Sequence, residues 1–353
     1  MIRVRGALVP LLLLVAAAVV LWSAPIDRGW IERGYANDIY AALATTFVPL
    51  IDRLPFAAGD VLIVGVAGGW LAFVISRARA RGRRATVPIL AGTLGLAAAL
   101  AVWFQGAWGL NYRRVPIAGR VDYERTRVTD AAVAAYARTL VAGLNATAPA
   151  AHAEMQRAPQ VDEATLERDF QPVVARLGDT YPVRVSEPKT SLLLDRWFAI
   201  AGIGGMFDPF AYETILNSEF LPFERPFALA HEWGHVAGFT AEGDANLIAA
   251  LTCLRSHDPL IHYSGLIWTY DYFPRDVVQA YRLSRLVQDD QRSAQARFLQ
   301  HYDPRVYALQ WKAYDTYLRA NRVASGVRSY GEFTALLVGT PLDAQGLPRT
   351  HAF

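Results

Sequence analysis

The chain has 353 residues, a formal net charge of +3 at pH 7 and a hydrophobic fraction of 53%. This length allows roughly two domains, and the apolar fraction is high for a wholly soluble protein, which indicates membrane segments. The net charge is small and much of the basic excess lies in one short run, which argues against a nucleic acid as a partner.

Three apolar segments are predicted to cross a lipid bilayer as helices, and they cover about residues 7–24, 57–76 and 87–104. The first follows Arg3 and Arg5, so a cleaved signal peptide is the alternative interpretation. We expect an uncleaved anchor. The apolar run is longer than that of a usual signal, and bulky Trp22 stands where cleavage needs a small residue.

An arginine-rich loop, residues 77–84, separates the second and third apolar segments and contains five arginines. It could be interpreted as a nucleic-acid patch, but between two apolar segments it is better explained by the excess of positive charge on the cytoplasmic side of membranes. With this loop and the N-terminal arginines inside, three spans place the rest of the chain outside. We therefore expect a membrane domain over residues 1–110 and an extracytoplasmic domain over residues 111–353, with residues 26–53 as an amphipathic excursion at the interface.

The first part of the extracytoplasmic domain is predicted to be helical. Thr129 is a suitable N-cap for an alanine-rich helix, and residues 162–177 have the pattern of another. Strand-like composition follows, at residues 181–185, 191–200 and 211–217. The fold class predicted is therefore α+β and mostly helical, with a small sheet. Cys253 lies in an apolar helical run, which favours a buried, unreactive thiol.

The strongest chemical signal is the run His231-Glu232-Trp233-Gly234-His235. Two histidines four residues apart on a helix lie on one face and can bind one divalent metal ion. The glutamate that follows the first histidine then lies beside the ion, where it can accept a proton from a bound water. With only three positions fixed, a chance match is the alternative interpretation.

The residues after this run predict a turn and a second helix. Pro226 suits the first turn of the helix that carries the histidines, and Gly238 suits its left-handed end. Thr240 is then a reasonable N-cap for the next helix. Glu242 and Asn246 are four residues apart, so they share a face that can turn back towards the histidines and supply a third ligand.

Asp244 is the alternative third ligand. Residues two apart on a helix point about 200° away from each other, so only one of Glu242 and Asp244 can face the metal. Glu242 is preferred because it pairs with Asn246. Two histidines and one carboxylate leave a position open for water, which is typical of a catalytic Zn²⁺ site rather than a closed structural one.

These residues resemble the zincin metallopeptidases of the gluzincin type. In that group the metal glutamate lies on a following helix, and a residue four positions later supports a ligand histidine. The resemblance implies a zincin-like domain with zinc ligands His231, His235 and Glu242, and with Asn246 behind a histidine. A metzincin would place its third ligand at position 241, which is alanine here.

The resemblance to zincins also implies two further features of the site. An edge strand lies beside the metal helix of zincins and pairs with the extended substrate. The segment of residues 201–218, with Gly202, Gly204 and Gly205 before the strand-like residues 211–217, resembles that element in position. An ordinary core strand is the alternative. Zincins commonly stabilise the oxyanion with a tyrosine or histidine, and Tyr263 is the first candidate, with simple packing as the alternative.

More narrowly, the chain resembles a bacterial membrane-anchored family catalogued as domain of unknown function 3810. The motifs that carry this resemblance are Trp108-Gly109-Leu110-Asn111-Tyr112-Arg113-Arg114, the metal run through Ala249, Tyr263-Ser264-Gly265, and Tyr317-Leu318 with Gly326 and Ser329-Tyr330. The resemblance covers nearly the whole chain. It implies a protein of the bacterial cytoplasmic (inner) membrane.

We expect a membrane-anchored, zinc-dependent peptidase in which Glu232 is the general base and the substrate is a peptide or protein of the cell envelope. The lipid bilayer is a second expected partner. The alternatives are a non-catalytic zinc-binding module of the envelope, and a membrane scaffold that recruits partners and in which the histidine motif is accidental.

Overall fold

The fold is given by a computed structural model, which describes residues 2–178, 183–323, 326 and 332–350. Its helices are α1 Ile2–Ser23, α2 Arg28–Ile51, α3 Ala58–Arg81, α4 Thr86–Ala107, α5 Asp130–Arg157, α6 Glu163–Arg176, α7 Asp195–Ala201, α8 Arg225–Val236, α9 Glu242–Leu254, α10 Pro259–Tyr272, α11 Arg275–Val278, α12 Arg285–His301, α13 Pro304–Ala320 and α14 Phe333–Gly339. The strands are β1 Pro188–Lys189, β2 Gly205–Asp208 and β3 Glu213–Leu216. The prediction of a mostly helical chain with a small sheet is confirmed.

Helices α3 and α4 form an antiparallel pair joined by the turn Gly82–Ala85, and the indole of Trp70 on α3 donates to the hydroxyl of Thr93 on α4 (3.0 Å). Helix α1 packs along α4. The stretch Ala58–Ala107 is long and apolar enough to cross a membrane, with a mean hydropathy of 2.0 in a window of which 6% is buried. Such exposed apolar surface is unusual in water, and it indicates membrane anchoring.

Helices α1 and α2 are joined at a sharp bend. Residues 9–23 and 28–51 pass the same test for a membrane span only as a pair, and the two parts meet at 103°. Helix α2 packs on the rest of the chain: Ile31 and Tyr35 are buried in the main core, and the Tyr40 hydroxyl donates to the carbonyl of Val236 (2.6 Å). The main core therefore extends across the predicted boundary at residue 110.

The sheet has the strand order β1-β3-β2, with β1 parallel and β2 antiparallel to β3. The strand predicted within residues 211–217 is confirmed as β3, but it is the central strand. The edge strand beside the metal helix is β2, which lies within the predicted segment of residues 201–218, whereas residues 211–217 form the inner strand.

The strand predicted over residues 191–200 is also wrong, because this segment forms a turn and then α7. Two side chains explain the difference. The Ser191 hydroxyl accepts from the N–H of Leu194 (2.9 Å), and the Asp195 carboxylate accepts from the N–H of Ser218 (2.9 Å). The first of these bonds is local and favours a turn over a strand, whereas the second joins the start of α7 to a residue 23 positions later. Of the strand predicted at residues 181–185, positions 181 and 182 lie outside the described residues.

Helices α8 and α9 form the centre of the fold, and nearly every residue of both is buried. They approach closely at Gly234, where an added Cβ would lie 3.3 Å from Cα of Ala245. Helix α8 ends as predicted at Gly238, whose φ is +83°. The N–H of Phe239 donates to the carbonyl of Gly234 and that of Gly238 to the carbonyl of His235, which is the Schellman pattern.

The residue before α9 is Ala241, which makes no side-chain cap. The prediction that Thr240 caps this helix is therefore wrong, and Thr240 is instead buried beside a cavity. The N-cap predicted at Thr129 is confirmed, since its hydroxyl accepts from the N–H of Ala132. Cys253 is a free, buried cysteine.

We expect Gly238→Ala to lower the free energy of unfolding by about 1–2 kcal/mol, the usual cost of a left-handed non-glycine residue. The new Cβ would also lie 2.9 Å from a guanidinium nitrogen of Arg114. Thermal unfolding of the purified full-length protein in detergent measures this. Gly106→Ala is the matched control, because nothing lies within 4 Å of its added Cβ. Equal melting temperatures for the two variants would contradict the account of the turn.

Candidate metal centre

Three possible metal ligands converge where α8 meets α9. His231 and His235 lie one turn apart on α8, and Glu242 is the first residue of α9. Oε2 of Glu242 lies 3.1 Å from Nε2 of His231 and 3.7 Å from Nε2 of His235. The potential ligand atoms of the three residues all lie within 4.8 Å of one another.

Hydrogen bonds behind the two rings fix how the imidazoles present their nitrogens. Nδ1 of His231 lies 2.8 Å from Oδ1 of Asn246, and Nδ1 of His235 lies 2.7 Å from the carbonyl oxygen of Phe239. Both partners are acceptors, so each ring carries its proton on Nδ1 and turns the lone pair of Nε2 towards Glu242. Asn246 thus lies where the resemblance placed it, behind a ligand histidine.

Asp244 does not join this group. Its Oδ2 accepts from the N–H of Ile117 (3.1 Å), and burial raises the pKa of Asp244 to about 6, although Arg120 and Arg114 act in the opposite direction. Because the two carboxylates lie on opposite faces of the first turn of α9, only Glu242 reaches the histidines. The geometry agrees with the preference for Glu242 over Asp244.

The electrostatics of the cluster favour a bound cation. Burial by itself raises the pKa of Glu242, but the imidazoles of His231 and His235 hold it well below the usual range. Burial lowers the pKa of His235, yet the Glu242 carboxylate outweighs this and brings it to about 9. A buried carboxylate of this kind is stable only beside positive charge, from a proton or a metal ion.

Two carboxylate oxygens at this point are buried without a hydrogen-bond partner, Oε2 of Glu242 and Oε2 of Glu232. When both imidazoles are neutral, with their protons on Nδ1, three electron-pair donors face one another, and either a proton on Nε2 of His235, which its raised pKa favours, or a metal ion lies between them. A divalent ion satisfies such a group, and two imidazole nitrogens with one carboxylate oxygen are a donor set typical of Zn²⁺. The residues present therefore fit the predicted cofactor.

The carboxylate of Glu232 lies against the edge strand β2. Burial raises the pKa of Glu232, while the neighbouring imidazoles and the N–H of Phe207 act in the opposite direction. The strand can approach this closely because of Gly205, where an added Cβ would lie 3.0 Å from Oε1 of Glu232 and 2.8 Å from the carbonyl oxygen of Ile215. Glu232 thus lies beside the histidine pair and next to a strand edge.

A cavity of about 820 Å³ opens in front of these groups. Residues of α1, α4, α7, β2, α10 and α13 line the cavity together with the cluster. The lining side chains include Trp22, Leu100, Ala101, Phe104, Trp108, Trp197, Phe210, Tyr272, Trp311, Tyr314 and Tyr317. The volume is in the range of small-molecule and substrate sites.

The structure does not place Tyr263 at the site. Its side chain is fully buried, its hydroxyl donates to Oδ2 of Asp290 (2.5 Å), and it is absent from the lining of the cavity. The hydroxyl that contacts the cluster is that of Tyr314, which donates to Oε1 of Glu242. Tyr272 also lines the cavity, and burial and the Glu242 carboxylate raise its pKa. The role predicted for Tyr263 is therefore wrong on geometry.

The motif that begins at Trp108 supports the C-terminal end of α8. The indole of Trp108 donates to the carbonyl of His235 (3.1 Å), and the guanidinium of Arg114 donates to the carbonyl of Ala237 (2.9 Å). The carbonyls at a helix end have no partner within the helix, so these donors stabilise it. The motif thereby fixes the position of one metal-ligand candidate.

We expect Glu242→Gln to abolish stoichiometric zinc binding and Asp244→Asn to retain it. The first change removes an anionic ligand, whereas the second preserves an acceptor for the N–H of Ile117. Elemental analysis of the two purified variants and the wild-type protein measures the difference. Zinc retained by Glu242→Gln and lost from Asp244→Asn would reverse the assignment.

A family model described as protein of unknown function (DUF3810) matches residues 35–338 of the chain. The matched region runs from α2 to α14 and includes the motif at Trp108, the metal run and the candidate third ligand. Among curated proteins and solved structures, none matches the chain.

Proposed function

The chain belongs to the family of proteins of unknown function DUF3810, and we propose that it is a zinc-dependent peptidase anchored in the bacterial cytoplasmic membrane. The proposal rests on one observation: the potential ligand atoms of His231, His235 and Glu242 converge on one point, and Glu232 lies beside them. This set of side chains and its arrangement on two successive helices resemble those of gluzincin metallopeptidases.

Zn²⁺ held by the two histidines and Glu242 would polarise the carbonyl of the scissile bond and acidify a water molecule. Glu232 takes a proton from the attacking water and then delivers it to the nitrogen of the leaving amine. Asn246 and the carbonyl of Phe239 keep both imidazole protons on Nδ1 throughout, so the ligand nitrogens stay available.

The edge strand β2 is the element suited to hold an extended peptide substrate. Among the described residues it has one neighbour in the sheet, β3, and its residues Gly205–Asp208 line the cavity next to Glu232. An exposed strand edge binds peptides by backbone hydrogen bonds. In place of Tyr263, the hydroxyls of Tyr314 and Tyr272 are the candidates for stabilising the oxyanion.

The attachment of the apolar helices supports the membrane topology in the proposal. At the end of α1, the Arg113 guanidinium donates to the carbonyl of Ala24 (2.8 Å), and at the start of α3 the N–H of Gly59 donates to Glu213 (2.7 Å). The end of α4 continues directly into Trp108 beside α8. The opposite end of the α3–α4 pair holds the arginine-rich loop.

Helices of this length suit a bilayer. At a rise of about 1.5 Å per residue, α1, α3 and α4 are each roughly 33–36 Å long, which is sufficient to span the hydrocarbon core. Three spans place the N-terminal arginines and the arginine-rich loop on the cytoplasmic side and the candidate site outside. The substrate would then be a peptide or protein of the cell envelope.

We expect Glu232→Gln to lower peptidase activity by about 10²–10⁴-fold, the usual contribution of a general base. The variant keeps both histidines and Glu242, so its zinc content should equal that of the wild-type protein. Hydrolysis of a broad peptide library by the full-length protein, with elemental analysis alongside, measures both. Wild-type protein that binds zinc and cleaves no peptide would favour a non-catalytic zinc-binding module instead.

A reporter fused after Phe353 should behave as periplasmic, because the three spans leave the C-terminus outside. Alkaline phosphatase, which is active only outside the cytoplasm, measures this in whole cells. The matched control is the same reporter inserted in the arginine-rich loop, where it should be inactive. An inactive C-terminal fusion with an active loop insertion would overturn the topology.

A further inference from the structure

The cavity in front of the metal cluster continues away from it, towards the apolar helices. Its lining includes Trp22 at the end of α1, and Leu100 and Ala101 on α4. Leu100 lies about two turns before the end of α4, so the cavity reaches roughly 10 Å along the apolar part of that helix. An envelope peptide bound at the metal cluster alone would leave this part of the cavity unused.

Aromatic rings form a continuous wall between the metal cluster and these helices. The Trp108 ring lies 6.4 Å from that of His235, and Phe104 follows at 6.1 Å from Trp108. Phe104 in turn lies 6.1 Å from Phe210 and 6.2 Å from Tyr317. Contacts of this kind favour an apolar ligand along the whole path.

The charged groups of the lining are all anionic or belong to the metal cluster. They are His231, His235, Glu232 and Glu242, with Asp208, which accepts from the N–H of Phe210 (2.8 Å). None of the described lining residues is a lysine or an arginine. The cavity therefore has no side-chain cation to bind a phosphate or a free carboxylate at its far end.

The domain also presents exposed apolar side chains beside the start of α3. Leu192 is 88% exposed and Trp197 and Phe210 are each 38% exposed, and Trp197 and Phe210 line the cavity. The N–H of Leu192 donates to the carboxylate of Asp60 in the first turn of α3 (2.7 Å), so this surface is level with the end of the span. Aromatic and apolar side chains at that level are typical of a surface in contact with lipid.

We propose that the substrate is a lipid-modified peptide whose alkyl chain occupies the apolar part of the cavity and enters it from the bilayer. The inference rests on the proposed peptidase function for the reaction itself. Hydrolysis adds water across the amide bond: the C–N bond breaks, the carbonyl carbon gains the water oxygen, and one water proton reaches the leaving nitrogen through Glu232. The second proton passes from the new carboxyl group to the amine, so the products are a carboxylate and an ammonium group.

A transmembrane peptide helix is the other apolar substrate that a bilayer could deliver. With its side chains, such a helix is about 10–12 Å across, so fewer than about two turns would fill a cavity of about 820 Å³. No room would remain for an extended peptide at the metal cluster. An alkyl chain is thinner, and it leaves that room.

The test is photocrosslinking of full-length protein in liposomes, with a palmitoylated peptide that carries a diazirine at the end of its acyl chain. The Glu232→Gln variant is used, so that binding is read without cleavage. Mass spectrometry then compares labelling at Phe210 and Trp311, which line the cavity, with labelling at Leu62, an exposed residue of α3. A phosphatidylcholine with the same photoreactive chain is the control, because it measures the labelling that bilayer lipid produces without a peptide.

We expect the peptide to label Phe210 and Trp311 in excess over Leu62, and the phosphatidylcholine to label Leu62 in excess. Ala101→Trp should abolish the labelling of Phe210 and Trp311, because the indole occupies the apolar part of the cavity through which the alkyl chain enters. Ala99→Trp, on an exposed position of the same helix, should leave it intact. Labelling unchanged by Ala101→Trp, equal labelling by the phosphatidylcholine, or competition by an unmodified transmembrane peptide would each overturn the proposal.

This result separates the two proposals. Labelling of the cavity by the acylated peptide needs no hydrolysis, so it stands even if the protein cleaves no peptide. Conversely, cleavage of soluble peptides with no labelling of the cavity would leave the peptidase intact and remove the alkyl chain from its substrate.

Discussion

Oε2 of Glu242 is a buried carboxylate oxygen that faces the Nε2 atoms of two imidazoles, and both imidazoles hold their protons on the far side of the ring. With neutral imidazoles, three electron-pair donors therefore point at one place, and either a proton on a ring nitrogen or a metal ion lies between them. In an interior of low dielectric constant such a group is costly to form unless a cation is bound. The rest of the fold can be understood as the structure that holds these three side chains in place.

Several segments that are distant in sequence meet at the C-terminal end of α8 and hold these three side chains in place. The Schellman turn at Gly238 reverses the chain so that the carbonyl of Phe239 accepts from His235 and α9 begins with Glu242. Trp108, which directly follows the apolar helix α4, donates to the carbonyl of His235. The Tyr40 hydroxyl from α2 bonds to Val236. The candidate site and the apolar helices are thus joined by hydrogen bonds as well as by the shared core, and the matched family region includes α3 and α4 together with the site.

The local features of the site could be predicted from the sequence because they depend on short spacings. The histidine pair, the turn at Gly238, and Glu242 with Asn246 all lie within 16 residues. Helical geometry places each pair on one face of its own helix, and the turn at Gly238 brings the two faces together. The features that were missed depend on contacts distant in sequence. Tyr314 reaches Glu242 from a helix 72 residues later in the chain, and no spacing rule relates the two.

The same distinction explains the errors in the sheet. Residues 211–217 had the composition of a strand, and they form one, but composition does not determine strand order. The edge is β2 because β3 pairs with both of the other strands, and Gly205 allows the backbone of β2 to approach Glu232. Tyr263 follows the same rule: the resemblance to zincins suggested a tyrosine at the oxyanion, whereas packing of α10 against the rest of the core directs the hydroxyl of Tyr263 to Asp290.

The most direct measurement of the central claim is zinc-edge X-ray absorption of the purified full-length protein. The account predicts one zinc ion with two imidazole nitrogens at about 2.0–2.1 Å, one carboxylate oxygen at about 2.0–2.2 Å and a further oxygen from water. A protein without zinc, or a zinc ion whose ligand set lacks two histidines or includes sulfur, would contradict it.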